Sequence, residues 1–463
     1  MKSRLRRRVC VALVSLLLAA PLAPAAHAAG TGAHVEGTLP SGATYVMDTP
    51  DSWNGTVLLY SHGYTPAGLP ASARNAPDAA TESLLLQEGY ALIGSSYASN
   101  GWAVTDAVPD QLATLDAFTS RFGRAGRTVA WGSSYGGLVT AMIAERHPDR
   151  ISGSLSLCGL LQGGVANWNN TLDPVFALKT LLAPGADIRL TGLESQAEAV
   201  VASDALAAVV AGAQDSASGR ARIALAAALQ DIPGWNDPSQ PRPEPSDHDT
   251  QQANQYQALM LQVRLPAFSW RQEAESRVGG NMSWNTGVDY TAMLHRSPLH
   301  QEVGELYREA GLSLDRDLAV LNRAPRIAAD PRAVEAMART SSFTGRPAKP
   351  QLTVHTTGDG LIPVPAESAY RRAVTASGSA SLLRQAYVGN AGHCTFSSAE
   401  QVAALHALEA RLTTGRWQRT DPAALNSLAE QADSSVPARY VDHRPAAFPR
   451  PYDLAHPGDR YRP

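Results

Sequence analysis

A doubly wound, mostly parallel α/β sheet with a large, mainly helical cap insertion is the fold class this sequence predicts, and three observations predict it. Between residues 45 and 160, short apolar runs rich in β-branched residues alternate with helical patterns. The same rhythm returns at residues 350–413, and the stretch between the two loses it. Strands that alternate with helices at this spacing pair in parallel, because a parallel neighbour needs a long crossover connection.

In chain order, Val35 to Thr49 holds two extended runs broken by Pro40-Ser41-Gly42, which predicts a leading hairpin. After the turn Asp51–Gly55, Thr56–Ser61 reads as a central strand ending in His62-Gly63-Tyr64. Glu82–Gly89 is a helix closed by its glycine, Tyr90–Ser96 a strand, and Val108–Phe122 a helix leading into the strand Arg127–Trp131. Ile151–Leu157 is a further strand. Residues 159–349, a span of about 190, are too long for a loop. Ala-rich helical windows at Gln196–Ala211 and Ala221–Leu229, with a Pro-rich break at Pro238–Pro245, make an inserted helical cap the economical reading. The sheet resumes at Gln351–Thr356, followed by a helix Pro365–Ala376, a strand Leu382–Val388 and a helix Ala399–Leu412. From Gly415 onward Pro, Arg and aromatic residues predict an extended strap, since Pro fixes φ and removes a donor. The expected organisation is a leader at 1–28, a core at 29–158 and 350–414, a cap at 159–349 and a strap at 415–463.

The leader is expected to be a secretory signal peptide. Lys2, Arg4, Arg6, Arg7 and Arg8 precede an apolar run from Val9 to Leu22, too short and Pro-broken to span a bilayer, and Ala26-His27-Ala28 offers a small-x-small cleavage site. Cys10 lies too early in the run for a lipid anchor, so release to the exterior is expected. Loss of these five positive charges takes the net charge from −3 to −8. That balance argues against nucleic acid or an anionic membrane as partner. No later run reads as a membrane helix, and the sequence leaves the oligomeric state open. With 44% hydrophobic residues the chain has material for a sizeable core.

The chemistry-bearing stretch is Arg127–Leu138, RTVAWGSSYGGL. A strand runs into Gly132-Ser133-Ser134-Tyr135-Gly136 and a helical pattern follows at once, the nucleophile-elbow arrangement in which a serine sits on a sharp turn. Ser134 is the candidate nucleophile. A serine hydroxyl needs a general base within hydrogen-bond reach and a third group to orient that base. In an elbow scaffold these follow in the order acid, then histidine, on loops after late strands. Asp359, just beyond the Gln351–Thr356 strand, takes the acid place, and His393, after the next strand, takes the base place. His355 is a poorer base because it falls inside a predicted buried strand. No carboxylate follows the Ile151–Leu157 strand, which strengthens Asp359. The donors for a developing oxyanion would be the amides of Tyr135 and Tyr64, with Gly63 allowing close backbone approach and His62 structural.

Ser61-His62-Gly63-Tyr64, Gly132–Gly137, Gly358–Val364 and Gly392-His393 together resemble the oxyanion, elbow, acid and base motifs of the α/β-hydrolase fold serine hydrolases. The resemblance spans roughly residues 45–160 and 350–413 and leaves the cap and strap uncovered. It implies a cofactor-free sheet of about eight strands and acyl transfer through a serine ester, with no metal. Cys158 ends the strand beside the elbow and Cys394 follows the base, so the two sulfurs fall on one edge. A Cys158–Cys394 disulfide pinning the base loop stands beside two buried free thiols. A bridge there is similar in spirit to that of tannase-like feruloyl esterases, although Ser133 rather than cysteine precedes the nucleophile.

The leading expectation is a secreted carboxylic ester hydrolase acting on a small-molecule or oligomeric ester. A peptidase or amidase of the same fold is the alternative, since Gly-x-Ser-Tyr-Gly-Gly also resembles prolyl-oligopeptidase-like and aminopeptidase elbows. Selection of a free N-terminus would draw on Glu194, Glu198 or Asp289. A non-catalytic binding protein on a hydrolase scaffold is the third reading. Trp102, Trp235, Trp270 and Trp284 are candidates for an acyl pocket or for core packing. Asp247-His248-Asp249 reads as a solvated loop rather than a metal site.

Overall fold

The computed structural model describes residues 32–452; the expected leader and the last residues of the strap lie outside them. The leading hairpin is β1 (Ala33–Thr38) and β2 (Thr44–Thr49). β3 (Thr56–Ser61) follows, buried along its whole length as a strand covered on both faces must be. Then come α1 (Ala79–Gln87), β4 (Ala91–Ser95), α2 (Val104–Phe122), β5 (Arg127–Ser133), α3 (Tyr135–Arg146) and β6 (Gly153–Leu157). After the insertion the core is completed by the strands β7 (Gln351–Gly358) and β8 (Leu383–Ala391).

Between β6 and β7 the chain is helical: α4 (Gly164–Leu182), α5 (Gln196–Gln214), α6 (Ala217–Ala228), α7 (His248–Arg264), a π-helical turn Pro266–Trp270, α8 (Arg271–Val278), α9 (Tyr290–Arg296), α10 (His300–Glu309), α11 (Leu314–Arg323) and α12 (Pro331–Ser341). α13 (Ala366–Ala376) lies between β7 and β8, and α14 (Ser398–Thr414), α15 (Pro422–Ala432) and β9 (Tyr440–Val441) finish the chain.

The nine strands form one sheet in the order β1-β2-β4-β3-β5-β6-β7-β8-β9. From β4 to β8 every neighbour is parallel; β1 and β2 at one edge and β9 at the other pair antiparallel. This is the mostly parallel α/β sheet of the α/β-hydrolase fold, one strand larger than the resemblance implied. One apolar cluster joins α2, α3 and the root of α4 on one sheet face, and another packs α14 on the opposite face. A third cluster belongs to α4–α7 and α9–α11 within the insertion.

Three expectations need correction. The strap is not extended throughout: Asp421 caps α15 with Pro422 at its first turn, and β9 adds an edge strand to β8. Arg439 is held there by ion pairing to the buried Glu400 of α14 at 3.0 Å. α2 starts at Val104, with Pro109 inside the helix rather than near its start. α5 is, by length and composition, apolar enough to cross a membrane. It instead buries the stripe Ala199, Ala202, Leu206 and Val210 in the insertion's core, the spacing of an amphipathic globular helix.

Candidate active site

The elbow forms because its glycines leave no room for anything larger. A Cβ on Gly136 would run into the carbonyl of Ser61, one on Gly132 into that of Gly136, and one on Gly137 would lie 2.7 Å from the Cα of Gly159. The turn between β5 and α3 is so tight that Ser134 adopts φ +58°, ψ −123°, a strained conformation for a residue with a side chain. Its amide donates to Leu157 of β6 at 2.8 Å, which fixes the turn to the neighbouring strand.

Acid and base loops grow from the ends of β7 and β8. A register shift between Thr356 and Gly358 bends β7 just before Asp359, and the amide of Gly392 donates to Gly358 at 2.8 Å, tying the two loops together. Ser134 Oγ lies 2.7 Å from His393 Nε2, and His393 Nδ1 lies 2.7 Å from Asp359 Oδ2. Asp359 is fully buried, and its other oxygen accepts from the amides of Leu361 and Ile362, both at 2.9 Å. Burial alone would raise its pKa; the adjacent imidazoles of His393 and His355 reverse that and hold it well below the usual carboxylate range. The structure thus brings Ser134, His393 and Asp359 into one hydrogen-bonded line, the arrangement that makes a serine nucleophilic.

Cys158 and Cys394 are joined in a disulfide with a Cα–Cα separation of 5.4 Å. Both have positive φ, +46° and +57°, and Cys394 Sγ lies 3.5 Å from His393 Nε2. The bridge therefore ties the base loop to the strand beside the elbow.

On the opposite side of Ser134, Gly63 approaches so closely that a Cβ there would touch the Ser134 Cβ at 3.6 Å. That places the Gly63-Tyr64 backbone beside the nucleophile, with Tyr135 immediately after it. His62 holds this loop: Nδ1 lies 2.7 Å from the Gly63 carbonyl, Nε2 faces the Ser96 carbonyl, and the ring stacks on Tyr97 at 4.0 Å. Burial lowers its pKa, against the two carbonyl contacts, which raise it.

Above the nucleophile lies a cavity of about 220 Å³. Its walls are Tyr64, Trp102, Tyr135, Trp168 and Trp270, with Leu160, Leu361 and Ile362 between the rings. Trp102 stands 5.1 Å from Trp168 and 5.4 Å from Tyr135, and Trp270 lies against Tyr64 at 4.4 Å. Asn167, Thr171 and Gln262 supply the polar lining. Gln262 of α7 also donates to the carbonyls of Gly360 and Leu361, so the insertion grips the acid loop. Tyr64 Oη, Tyr135 Oη and Trp168 Nε1 are buried without a hydrogen-bond partner among the described residues. Burial pushes both tyrosine pKa values well above normal, so both stay donors.

Of the four tryptophans singled out from sequence, Trp102 and Trp270 face this cavity; Trp235 lines a separate one, and Trp284 packs in the core. Trp168 was not foreseen. Its signal is the α4 spacing Asn167, Trp168, Thr171, which places polar and aromatic side chains on one helix face. Glu194 and Glu198 sit near Arg189 at the surface and Asp289 caps α9; none lines the cavity. Asp247 likewise caps α7.

Residues 89–175, which span β4 to the first half of α4, match the Prolyl oligopeptidase family, Peptidase_S9. An o-phthalyl amidase of Xanthobacter agilis is 29% identical over 443 residues, covering 90% of this chain and 96% of its own. Among solved structures, an esterase from Aspergillus oryzae aligns over 83% of this chain and 79% of its own, with 14% identity and a TM-score of 0.37. An acylaminoacyl peptidase of Pyrococcus horikoshii aligns over 78% of this chain with 10% identity and a TM-score of 0.34; this chain spans 37% of its length.

Proposed function

We propose that this chain is a serine hydrolase that hydrolyses amides of small aromatic carboxylic acids through an acyl-enzyme on Ser134, with esters of the same acids as the second substrate class, a reading supported by the match of residues 89–175 to the Prolyl oligopeptidase family and by the amidase relative. The observation that carries this reading is the Ser134 hydroxyl, 2.7 Å from a base, opening into an aromatic cavity of about 220 Å³. A cavity of about 150 Å³ suffices to hold benzene, so one ring and a few further atoms fit. The relative described as an o-phthalyl amidase, matched over nearly its whole length, supports an aromatic acyl group and an amide bond.

Ser134 Oγ attacks the acyl carbon while His393 Nε2 takes its proton, and Asp359 holds the imidazole by its Nδ1–H. The amides of Tyr64 and Tyr135 receive the oxyanion. His393 then protonates the leaving amine, and water repeats the sequence to free the acid. Esters are second because they need the same groups and less help from His393 with the leaving group. A free amino terminus would meet no carboxylate among the described residues of the cavity. The leader-like start and the Cys158–Cys394 bridge support a secreted enzyme, since disulfides persist in oxidising compartments.

The test is a panel of anilides and p-nitrophenyl esters of acetic, octanoic, benzoic and o-carboxybenzoic acids, with Ser134→Ala and a fluorophosphonate probe as controls. Benzoyl or o-carboxybenzoyl anilides are expected to exceed acetyl and octanoyl anilides in kcat/KM by at least about 10-fold. Labelling is expected to vanish in Ser134→Ala. A preference for octanoyl substrates would reject the aromatic reading, and an unlabelled wild-type protein would leave a binding protein on a hydrolase scaffold.

A further inference from the structure

Asp359 faces a second imidazole. His355 of β7 is fully buried; its Nε2 lies 3.3 Å from Asp359 Oδ2 and 2.9 Å from the Ile362 carbonyl. Its Nδ1 lies 3.2 Å from Oε1 of Glu367, also fully buried, in the first turn of α13. The other oxygen of Glu367 accepts from Thr353 Oγ1 and Gln385 Nε2, both at 2.5 Å.

These contacts determine the protonation of the ring. A carbonyl oxygen only accepts, so Nε2 carries a hydrogen toward Ile362. Glu367 takes two donors on Oε2 and leaves Oε1 to accept from Nδ1. His355 therefore has a hydrogen on each nitrogen and stands as an imidazolium between two buried carboxylates. Burial opposes that charge, and the hydrogen bonds and charges of Asp359 and Glu367 outweigh it, pushing the pKa up to about 10. The strap's His443 also feels this charge: burial, Arg242 and then His355 lower its pKa; Tyr387 of β8 lies beside His355 in register.

We propose that His355, kept cationic by Glu367, is a positioning residue of the hydrolytic site, clamping the Asp359 carboxylate at Oδ2, the oxygen that His393 also meets. The inference rests on the reading of Ser134, His393 and Asp359 as a working triad. An isolated carboxyl buried this deeply would take up a proton, and a protonated acid does not stabilise an imidazolium. The clamp keeps Asp359 ionised and aimed. The line Glu367–His355–Asp359–His393–Ser134 then acts as one unit across β7, α13, the two loops and the elbow.

The experiment measures the second-order rate of fluorophosphonate labelling between pH 5 and 10, which needs no knowledge of the substrate, on the whole protein and on His355→Gln, Glu367→Gln and the double variant. Removing the cation favours a proton on His393 and on Asp359 alike, and either change moves the acid limb of the rate profile upward. His355→Gln is expected to lower the plateau rate roughly 10-fold and to raise the acid limb by about one pH unit. Glu367→Gln is expected to do less, and to add no further loss in the His355→Gln background. Packing damage alone would lower the yield of labelled protein without moving the limb. If His355→Gln does not fold, the charge-balanced double variant carries the same test. A rate within twofold of wild type with an unmoved limb overturns the clamp, whereas a wild-type protein that does not label overturns the triad reading instead.

Discussion

The two sides of the cavity are built by different means. On the sheet side, Ser134, Asp359 and His393 hang from the ends of β5, β7 and β8, and each is fixed by backbone hydrogen bonds within a few residues or by the disulfide. On the insertion side, Trp168 and Trp270 come from α4 and the π-helical turn and are placed by ring contacts. π-helical turns are frequent at functional sites because they re-aim side chains. The difference assigns rate to the sheet and choice to the insertion: damage to the first should slow every substrate alike, and damage to the second should change which substrate is preferred.

The strongest way to break that division is to cut the disulfide. Cys158 and Cys394 are separated by 236 residues, and both hold left-handed backbone beside reacting groups. The Cys158→Ala, Cys394→Ala double variant is expected to lose about 2–5 kcal/mol of stability, read by denaturant unfolding. Labelling by small and bulky fluorophosphonates is expected to slow by a common factor. Unequal slowing would mean that the bridge shapes the acyl pocket, and the division would be wrong.

The sheet side was also the legible side. The elbow, the acid loop and the base loop are each encoded within a handful of consecutive residues, so glycine spacing and strand ends were enough to nominate the three side chains. The walls of the cavity are not local. Trp102, Trp168 and Trp270 meet only after the insertion folds over the sheet, and nothing within any one of those segments says which rings share a wall. His355 falls between the two cases. Its burial was readable from its place in a strand, but the partner that keeps it charged, Glu367, is on the following helix and looks in sequence like an ordinary acid in a first helical turn. The edge strand β9 was hidden by a Pro-rich context, although Asp421-Pro422 is a recognisable helix start.

The insertion side can be sharpened with Trp270→Ala. Its ring lies 4.4 Å from Tyr64 and lines the same cavity as the nucleophile. The expected outcome is a fall in kcat/KM of roughly 10- to 200-fold for a benzoyl anilide, with an acetyl anilide changed by less than about threefold. An equal fall for both would move Trp270 from recognition to the scaffold of the site.

The smallest effect concerns stability against pH and separates the buried histidine from the reaction altogether. His355 titrates at about 10 in the folded chain, against 6.5 for an unperturbed histidine. Above pH 6.5 the unfolded chain has given up a proton that the folded chain keeps, so this contribution is complete below 6.5, shrinks as pH rises and is gone above 10. Asp359 acts at the other end: held below the usual carboxylate range, its contribution is present above the unfolded value of 3.8 and lost as pH falls. Between pH 7 and 9.5 the Tm of the wild-type protein should therefore decline by a few degrees more than that of the His355→Gln, Glu367→Gln double variant, followed by calorimetry without substrate. Parallel curves would mean that His355 holds no proton beyond pH 7, and the sheet side would then rest on Asp359 and its two backbone donors alone.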